Sequence, residues 1–426
     1  MQIDILTLFP EMFEPVLGTS IIGNAQKEGI VDIKTIQIRD FADNKHNSVD
    51  DYPYGGGNGM VMEPGCVQKA IDSAHAELVC YLTPKGRRFD QNLAKLLSKQ
   101  NHIAFLCGHY EGVDQRVLDE SIDLEISLGD FVLTGGEIPV MAVVDSLVRL
   151  LPNVLNESQE EAEESFYNGL LEYPQYTRPE EWEIPSLRGN KNSPPSEGWQ
   201  AKPDGVVRHC EANLSEPWQS SDFNVLKVPE VLLSGHHANI EKWRKEQSIA
   251  ITKYNRPDLL TPKRVGILGG SFNPLHEGHL DIVHQALELY NLDKILFIPA
   301  YEQPFKQGNE KVDAHHRLAM IQIAINNESR FEVSTMEIDR GGISYTIQTL
   351  CELKEKYPQN EYFFIIGEDC EPEKWNDYAE MIKLIEFIKL PRRIPISSTD
   401  IRNGKFDHIP EKVKKYIKKN KLYELS

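Results

Sequence analysis

The chain has 426 residues, too many for one ordinary hydrophobic core, so two or three domains are expected. Its 40% hydrophobic and 26% charged residues are those of folded globular protein and exclude a wholly disordered one. A formal net charge of −19 argues against loose, non-specific binding to nucleic acid, although a local basic groove can sit on an acidic protein.

The first ten residues, Met-Gln-Ile-Asp-Ile-Leu-Thr-Leu-Phe-Pro, carry Asp4 inside an apolar stretch and no basic leader, so they read as a strand and not a signal peptide. Short apolar runs at Ile3–Phe9, Val31–Ile38, Val79–Thr83, Ile103–Cys107 and Leu124–Ser127 predict strands, and Gln91–Lys99 and Ile138–Leu150 predict helices. This alternation predicts an α/β fold with a largely parallel sheet. The apolar run Ile138–Leu151 is broken by Asp145 and Arg149, so no membrane span is expected, and the cytoplasm is the expected compartment.

Glu183–Lys227 is rich in Ser, Pro, Asn, Gly and Trp, lacks periodicity, and reads as an irregular insertion. Asn213-Leu-Ser215 within it fits a glycosylation triplet by pattern and is given no role. A helix is predicted over Asn239–Tyr254, stopping at Arg256-Pro257. Arg264–Leu268 then opens a second α/β unit that ends in a basic amphipathic helix, Glu411–Asn420, expected to pack on its own domain. Cys66, Cys80, Cys107, Cys210, Cys351 and Cys370 form no Cys-x-x-Cys pair, so reduced, mostly buried thiols are expected and neither a zinc site nor a disulfide framework.

Three predicted strands of the first unit run into glycine-bearing loops: Tyr81-Leu-Thr-Pro-Lys-Gly86, Cys107-Gly-His-Tyr-Glu-Gly112 and Ser127-Leu-Gly-Asp-Phe-Val-Leu-Thr-Gly-Gly136. Ligands of open α/β sheets bind beyond the carboxyl ends of strands, and glycine admits a ligand close to the backbone. No G-x-G-x-x-G and no Walker sequence is present in these loops. Tyr54-Gly-Gly-Gly-Asn-Gly-Met60, Cys107–Asp114, Gly129–Glu137 and Leu170-Leu-Glu-Tyr-Pro-Gln-Tyr-Thr-Arg-Pro179, with Val228–His236 further on, resemble the bacterial tRNA (guanine-N1)-methyltransferase family, over residues 1–182 and again to about Leu260.

That resemblance implies a SPOUT-class domain over 1–160 whose loops form a trefoil knot around S-adenosylmethionine. It implies a homodimer with the site between protomers, and a small helical tRNA-binding domain over 161–260, interrupted by 183–227. By the same resemblance Tyr81, Leu82, Pro84 and Ile126 fall in the methyl-donor pocket, with Gly108, Tyr110 and Glu111 from the second loop and Gly129, Leu133, Gly135 and Gly136 from the third. Methylation of guanine N1 needs a base to remove the N1 proton. The family carries an Asp for this in a Phe-x-Asp-Gly-Leu-Leu context, helped by an upstream Arg. This chain reads Phe166-Tyr-Asn-Gly-Leu-Leu171, with Asn168 at the base position and the Arg present as Arg149. An amide accepts a hydrogen bond and cannot carry the proton away, and losing a general base costs about 10²–10⁴-fold in rate.

In the second unit, Arg264-Val-Gly-Ile-Leu-Gly-Gly-Ser-Phe-Asn-Pro-Leu-His-Glu-Gly-His-Leu280 predicts a buried strand, a turn and a helix beginning near Glu277, flanked by His276 and His279. A helix N-terminus is a ready anion site, and two histidines there can meet phosphate oxygens. A metal pair lacks a nearby third ligand, so no metal centre is expected there. Ile396-Ser-Ser-Thr-Asp-Ile-Arg402 supplies capping hydroxyls and a guanidinium. The two motifs together resemble the nucleotidyltransferase superfamily. Glu337-Ile-Asp-Arg-Gly-Gly-Ile-Ser-Tyr-Thr346 and Phe364-Ile-Ile-Gly-Glu-Asp369 narrow the likeness, over 263–426, to nicotinate-mononucleotide adenylyltransferase.

This second resemblance implies a Rossmann-like domain. In it nicotinate mononucleotide attacks the α-phosphorus of ATP, which brings its own Mg²⁺, and pyrophosphate leaves. His276, His279, Lys306 and Arg402 are expected on phosphates, and Gly269, Gly270, Ser271, Phe272, Gly367, Asp369, Ser398 and Thr399 about the nucleotide. Ser344, Tyr345, Thr346 and Trp375 are expected about the nicotinate. Three departures stand out. Pro304-Phe-Lys306 replaces the family's Pro-His-Lys, Gly367-Glu-Asp-Cys370 replaces a Gly-Ala-Asp-Asn type of run, and Ala379–Arg393 is too short for the family's usual strand and Arg-Pro. A lost strand and weakened folding or activity are the expected consequences. Three readings stay open on the residues: a bifunctional enzyme, a degenerate pair that binds without turnover, and an enzyme with the C-terminal activity alone.

Overall fold

A computed structural model describes residues 1–57, 59–155, 164–166, 168–183, 200–201, 207–208, 225–302 and 312–424. Chain contacts divide it into two compact units, residues 1–160 with 263–426, and residues 161–262.

The first sheet follows the predicted alternation. Its elements are β1 (Gln2–Thr7), α1 (Glu14–Leu17), α2 (Ser20–Lys27), β2 (Asp32–Gln37), a short antiparallel pair β3 (Asp50–Asp51) and β4 (Val61–Met62), and α3 (Pro64–Ala74). They continue with β5 (Leu78–Arg88), α4 (Gln91–Leu97), β6 (His102–Cys107), α5 (Gln115–Ser121), β7 (Leu124–Ser127) and α6 (Glu137–Val148). The strands lie in the order β2-β1-β6-β5-β7, and every pair is parallel. Both faces of β1, β6 and the first half of β5 are covered, which explains why those strands read as nearly continuous apolar runs, while the edge strand β2 stays largely open. Ile103, Phe105 and Cys107 pack with α2, α4 and α6 on one face, and Ala104 and Leu106 pack with α3 and α5 on the other, as a period of two requires. β5 runs five residues beyond its predicted end, because its register to β7 jumps from Leu82↔Ile126 to Arg87↔Ile126 and Thr83–Gly86 bulge out between.

Residues 161–262 carry β8 (Glu181–Glu183), β9 (Gln200–Ala201), β10 (Val207–Arg208), β11 (Val225–Lys227), α7 (Glu230–Leu233) and α8 (His237–Asn255). The expected irregular stretch is therefore regular at both ends, where β8 pairs antiparallel with β11 through Trp182↔Leu226 and Glu181↔Lys227. Most of its interior, including Asn213-Leu-Ser215, lies outside the described residues.

The second sheet is built from β12 (Arg264–Gly270), α9 (Glu277–Tyr290), β13 (Lys294–Pro299), α10 (Ala314–Ile325), β14 (Phe331–Val333), α11 (Met336–Arg340) and α12 (Thr346–Lys356). It is completed by β15 (Glu361–Gly367), α13 (Tyr378–Leu384), β16 (Glu386–Leu390), α14 (Ser398–Arg402) and α15 (Glu411–Lys419). Its order, β14-β13-β12-β15-β16, is parallel throughout. Strand order reverses between β12 and β15, and ligands of doubly wound sheets bind beyond the carboxyl ends at that point. The expected loss of a strand is corrected here. The short piece after Tyr378 itself forms α13 and the edge strand β16, with Ile388 fully buried against the sheet.

The two sheets of the larger unit touch. Arg87 Nη2 donates to Phe331 O at 2.6 Å and Gln100 Nε2 to His315 O at 3.1 Å, while Lys99 pairs with Asp339 at 2.7 Å. α15 buries Val413, Tyr416 and Ile417 in its own half, as expected, but its lysines do more. Lys415 pairs with Glu120 at 2.7 Å and Lys419 with Asp123 at 3.0 Å, both on the first half. Cys66, Cys80 and Cys107 are buried, Cys370 is half-buried and Cys351 is exposed. Among the described residues no helix is long and apolar enough to cross a membrane.

Candidate active sites

Beyond the carboxyl ends of β12 and β15 lies a cavity of about 610 Å³. Gly269, Gly270, Ser271, Phe272, His276, His279, Ser344, Tyr345, Thr346, Gly367, Trp375, Ser398, Thr399 and Arg402 all line it, so it gathers residues from four separate sequence motifs. Lys306 lies outside the described residues, and Asp369 does not line the cavity but pairs with Arg392 at 3.1 Å.

His276 is the N-cap of α9, and its backbone N–H donates to His279 Nδ1 at 3.2 Å. Their rings stack with centroids 3.7 Å apart. Burial pushes the His276 imidazole down to about 4, and the Arg392 charge adds to the effect, so the ring is neutral at pH 7. Its Nδ1 is buried against the first turn of α9, where a Cβ on Gly278 would stand 3.1 Å from it, while the residue itself lines the cavity.

The loop from Ser271 to Pro274 is fastened on several sides. Arg317, 2% exposed, donates through Nη1 to Ser271 O at 2.9 Å and Ala300 O at 2.7 Å. Arg402 Nη1 donates to Asn273 O, Ser398 Oγ to Pro274 O at 2.9 Å, and Tyr423 Oη to Asn273 Oδ1 at 2.6 Å. Ser397 caps α14 in a reciprocal pair with Asp400, whose carboxyl is held down to about 2 by Lys405 first and Ser397 second. Sequence reasoning missed Arg392, Arg317, Asn273 and Tyr423. The basic pair Arg392-Arg393 was a visible signal for the first, whereas Arg317 acts on backbone carbonyls and Tyr423 on the Asn273 side chain 150 residues away, contacts that no spacing reveals.

In the first sheet, adjacent strands β6, β5 and β7 deliver the three glycine loops to one edge. Tyr81, Leu82 and Ile126 are buried at the strand ends, and burial pushes the Tyr81 phenol up to about 12. Pro84 sits in the bulge of β5; Gly108, Tyr110 and Glu111 follow β6; Gly129, Leu133, Gly135 and Gly136 precede α6. The second and third loops touch through backbone, Gly136 N donating to Gly108 O at 2.8 Å. A Cβ on Gly136 would stand 2.6 Å from Cys107 Cα, so glycine is required there by contact alone. His109, between these loops, was not expected. Its Nδ1 is buried without a partner, and its ring packs on Phe9 at 5.1 Å.

Arg149 is the C-cap of α6. Asn168 belongs to the other unit, exposed in a turn closed by Phe166 N donating to Leu170 O at 2.7 Å. Leu171 N donates to the buried Thr252 Oγ1 at 2.8 Å, which ties this turn to α8, and the Arg256 guanidinium lies 5.7 Å from the Phe166 ring centroid.

Residues 1–192 and 210–262 match the family described as tRNA (Guanine-1)-methyltransferase TrmD. The chain belongs to this family. The match reaches further into the 183–227 stretch, from both sides, than the motifs alone had indicated. The chain is 47% identical to the tRNA (guanine-N(1)-)-methyltransferase of Ruminiclostridium cellulolyticum over 267 residues, 61% of this chain and 96% of that protein. It is 48% identical to that of Clostridium beijerinckii over 281 residues, 64% of this chain and 100% of that protein. The Bacillus subtilis protein of the same name is 45% identical over 265 residues, 61% of this chain and 92% of that protein. Residues 267–404, which contain the cavity's glycine turn and both its histidines, match the family described as Cytidylyltransferase-like.

Proposed function

We propose that the chain is a bifunctional transferase. Its methyltransferase part transfers methyl from S-adenosylmethionine to N1 of the tRNA guanosine beside the anticodon. Its C-terminal part transfers the adenylyl group of ATP to nicotinate mononucleotide, giving deamido-NAD. The observation that carries the second activity is the single cavity at the β12/β15 switch point, where the glycine turn, both histidines, Trp375 and Arg402 converge. We further propose the domain limits 1–160, 161–260 and 263–426, a knotted first domain that pairs with a second copy, and a cytoplasmic location.

In adenylyl transfer the mononucleotide phosphate oxygen forms the new bond to the α-phosphorus, the bond to the bridging oxygen breaks, and pyrophosphate leaves. The substrate supplies its own nucleophile, so the protein needs chiefly position and charge. His276, a neutral ring lining the cavity, donates its ring N–H to a phosphate oxygen. His279 is oriented for the same task by the His276 amide, and Arg392 and Arg402 supply positive charge at the cavity wall. ATP carries Mg²⁺ as part of the substrate. Ser344, Tyr345, Thr346 and Trp375 recognise the nicotinate.

In methyl transfer the bound donor supplies an electrophilic methyl group. The backbone amides and carbonyls of the loops after β5, β6 and β7 suit its adenine and ribose, and His109 packs among those loops. Arg149 and Asn168 fall to the guanine. Asn168 accepts a hydrogen bond from N1–H and leaves the proton to solvent, so the methyl step is slow. The reading of a binding protein without methyl turnover rests on this same residue.

The adenylyl half is tested by incubating the full chain with ATP, Mg²⁺ and either nicotinate or nicotinamide mononucleotide and measuring pyrophosphate and dinucleotide. Production of deamido-NAD in preference to NAD is expected. Binding of ATP with no pyrophosphate release from either mononucleotide would overturn the assignment.

A further inference from the structure

Apart from the two candidate active sites, one cluster of ligating side chains stands where the two sheets of the larger unit meet. Glu77 immediately precedes β5 of the first half, and His315 and His316 lie in the first turn of α10 of the second. One ligand atom from each of the three falls within 4.8 Å of the others. Glu77 Oε2 stands 3.3 Å from His315 Nε2, yet it is buried and makes no hydrogen bond of good geometry. Two ligands bound about 2.0–2.2 Å from one zinc ion at tetrahedral angles are themselves about 3.3 Å apart. The pair is thus spaced as two ligands of one ion.

The surroundings are fixed before any ion arrives. Gln100 Nε2 donates to the His315 carbonyl at 3.1 Å and Asn420 Nδ2 to the Glu77 carbonyl at 3.1 Å, so both backbones are held across the junction. The His316 ring is oriented by Tyr416, whose hydroxyl lies 2.8 Å from Nδ1, the kind of outer partner that sets a ligating ring. The side-chain amide of Asn101 stands 3.1 Å from His315 Nε2, and its oxygen and nitrogen are interchangeable by a flip, which places a further oxygen donor beside the cluster. The His315 side chain is 10% exposed and that of Glu77 28%, leaving the cluster reachable from solvent.

We propose that Glu77, His315 and His316 bind a divalent transition-metal ion of the zinc class that clamps the two halves together. Two imidazoles and a carboxylate are a donor set suited to zinc or cobalt and poorly suited to calcium or magnesium. The site is independent of both proposed activities and clear of the cavity. Its position is mechanically apt, because Arg317, the next residue of α10, holds the carbonyls of Ser271 and Ala300 at the cavity rim.

The test uses the untagged full chain, stripped with chelator and titrated with Co²⁺. Saturable uptake of one ion per chain is expected, with a d–d absorption band of low coordination number that disappears on adding Zn²⁺, and with a melting temperature raised by the metal. His315→Ala should weaken uptake at least about 10-fold and abolish the thermal gain. Glu77→Gln, which keeps the side chain's size, should do the same, and its melting temperature in chelator should match that of the unaltered chain. Absence of stoichiometric uptake would overturn the proposal, as would uptake that survives Glu77→Gln unchanged.

Discussion

His276 and His279 lie stacked at 3.7 Å at the start of α9, joined by a hydrogen bond from the amide of the first to the ring of the second. One ring thereby orients the other, and the buried member is held neutral. His276→Ala removes a phosphate donor and loosens its neighbour together, so a fall of about 10²–10³-fold in adenylyl transfer is expected, with nucleotide binding much less affected. A fall confined to binding would count against a role in the chemical step.

The same burial makes stability depend on pH. Folding lowers His276 from its ordinary 6.5 to about 4, and His316 likewise to about 4. Between those values the unfolded chain binds the protons more readily than the folded one. This contribution is fully present above pH 6.5 and is lost as the pH falls from 6.5 through 4. Urea unfolding of the metal-free chain in chelator at pH 7.5 and pH 5 should show a lower midpoint at pH 5, and the difference should shrink in a chain carrying His276→Asn and His316→Asn.

Arg392 reaches the cavity from the segment after β16, paired with Asp369. A charge-assisted hydrogen bond to a phosphate is worth about 1.5–3 kcal/mol, so Arg392→Met should raise the KM for a nucleotide substrate by roughly tenfold or more. Steady-state kinetics on both substrates would show it; an unchanged KM for each would remove Arg392 from the site.

Much of this was legible in the sequence. The glycine turn, the two histidines and Ile396–Arg402 were readable because each is a local pattern at fixed spacing, and all three came together in one cavity. The five-stranded sheet was misjudged at β16, because a single strand of length Glu386–Leu390 fits into a segment that looked too short for one. Arg317 was invisible because its partners are carbonyls 17 and 46 residues away, and backbone acceptors carry no sequence signal. The extension of β5 past Thr83 was likewise hidden, since a bulge is set by register against β7 and not by hydrophobic pattern.

Gly136 offers a test of the methyl-donor loops. With a Cβ 2.6 Å from Cys107 Cα and 2.8 Å from Gly108 N, Gly136→Ala forces backbone to move, at a cost of about 1–3 kcal/mol. Both a lower melting temperature and weakened S-adenosylmethionine binding by calorimetry are expected, while nucleotide binding at the second cavity persists. Unaltered donor affinity would place the donor elsewhere.

Thr252 supports the turn that carries Asn168. Its buried hydroxyl accepts from Leu171 N and donates to Ser248 O at 2.6 Å. Thr252→Val keeps the shape and orphans the amide, costing about 1–3 kcal/mol. Hydrogen exchange at Leu171 should accelerate measurably, and protection equal to that of the unaltered chain would exclude the anchor.

Asn168 stands where methyl transfer needs a base, and the decisive measurement is methyl transfer from labelled S-adenosylmethionine to a tRNA transcript with guanine beside the anticodon. It compares the full chain, checked by mass spectrometry for an intact Asn168-Gly169, with Asn168→Asp. Slow incorporation at N1, accelerated about 10²–10⁴-fold by the substitution at similar donor affinity, is predicted. Rapid incorporation by the unaltered chain, with no gain from Asn168→Asp, would contradict it and would require another group to take the N1 proton.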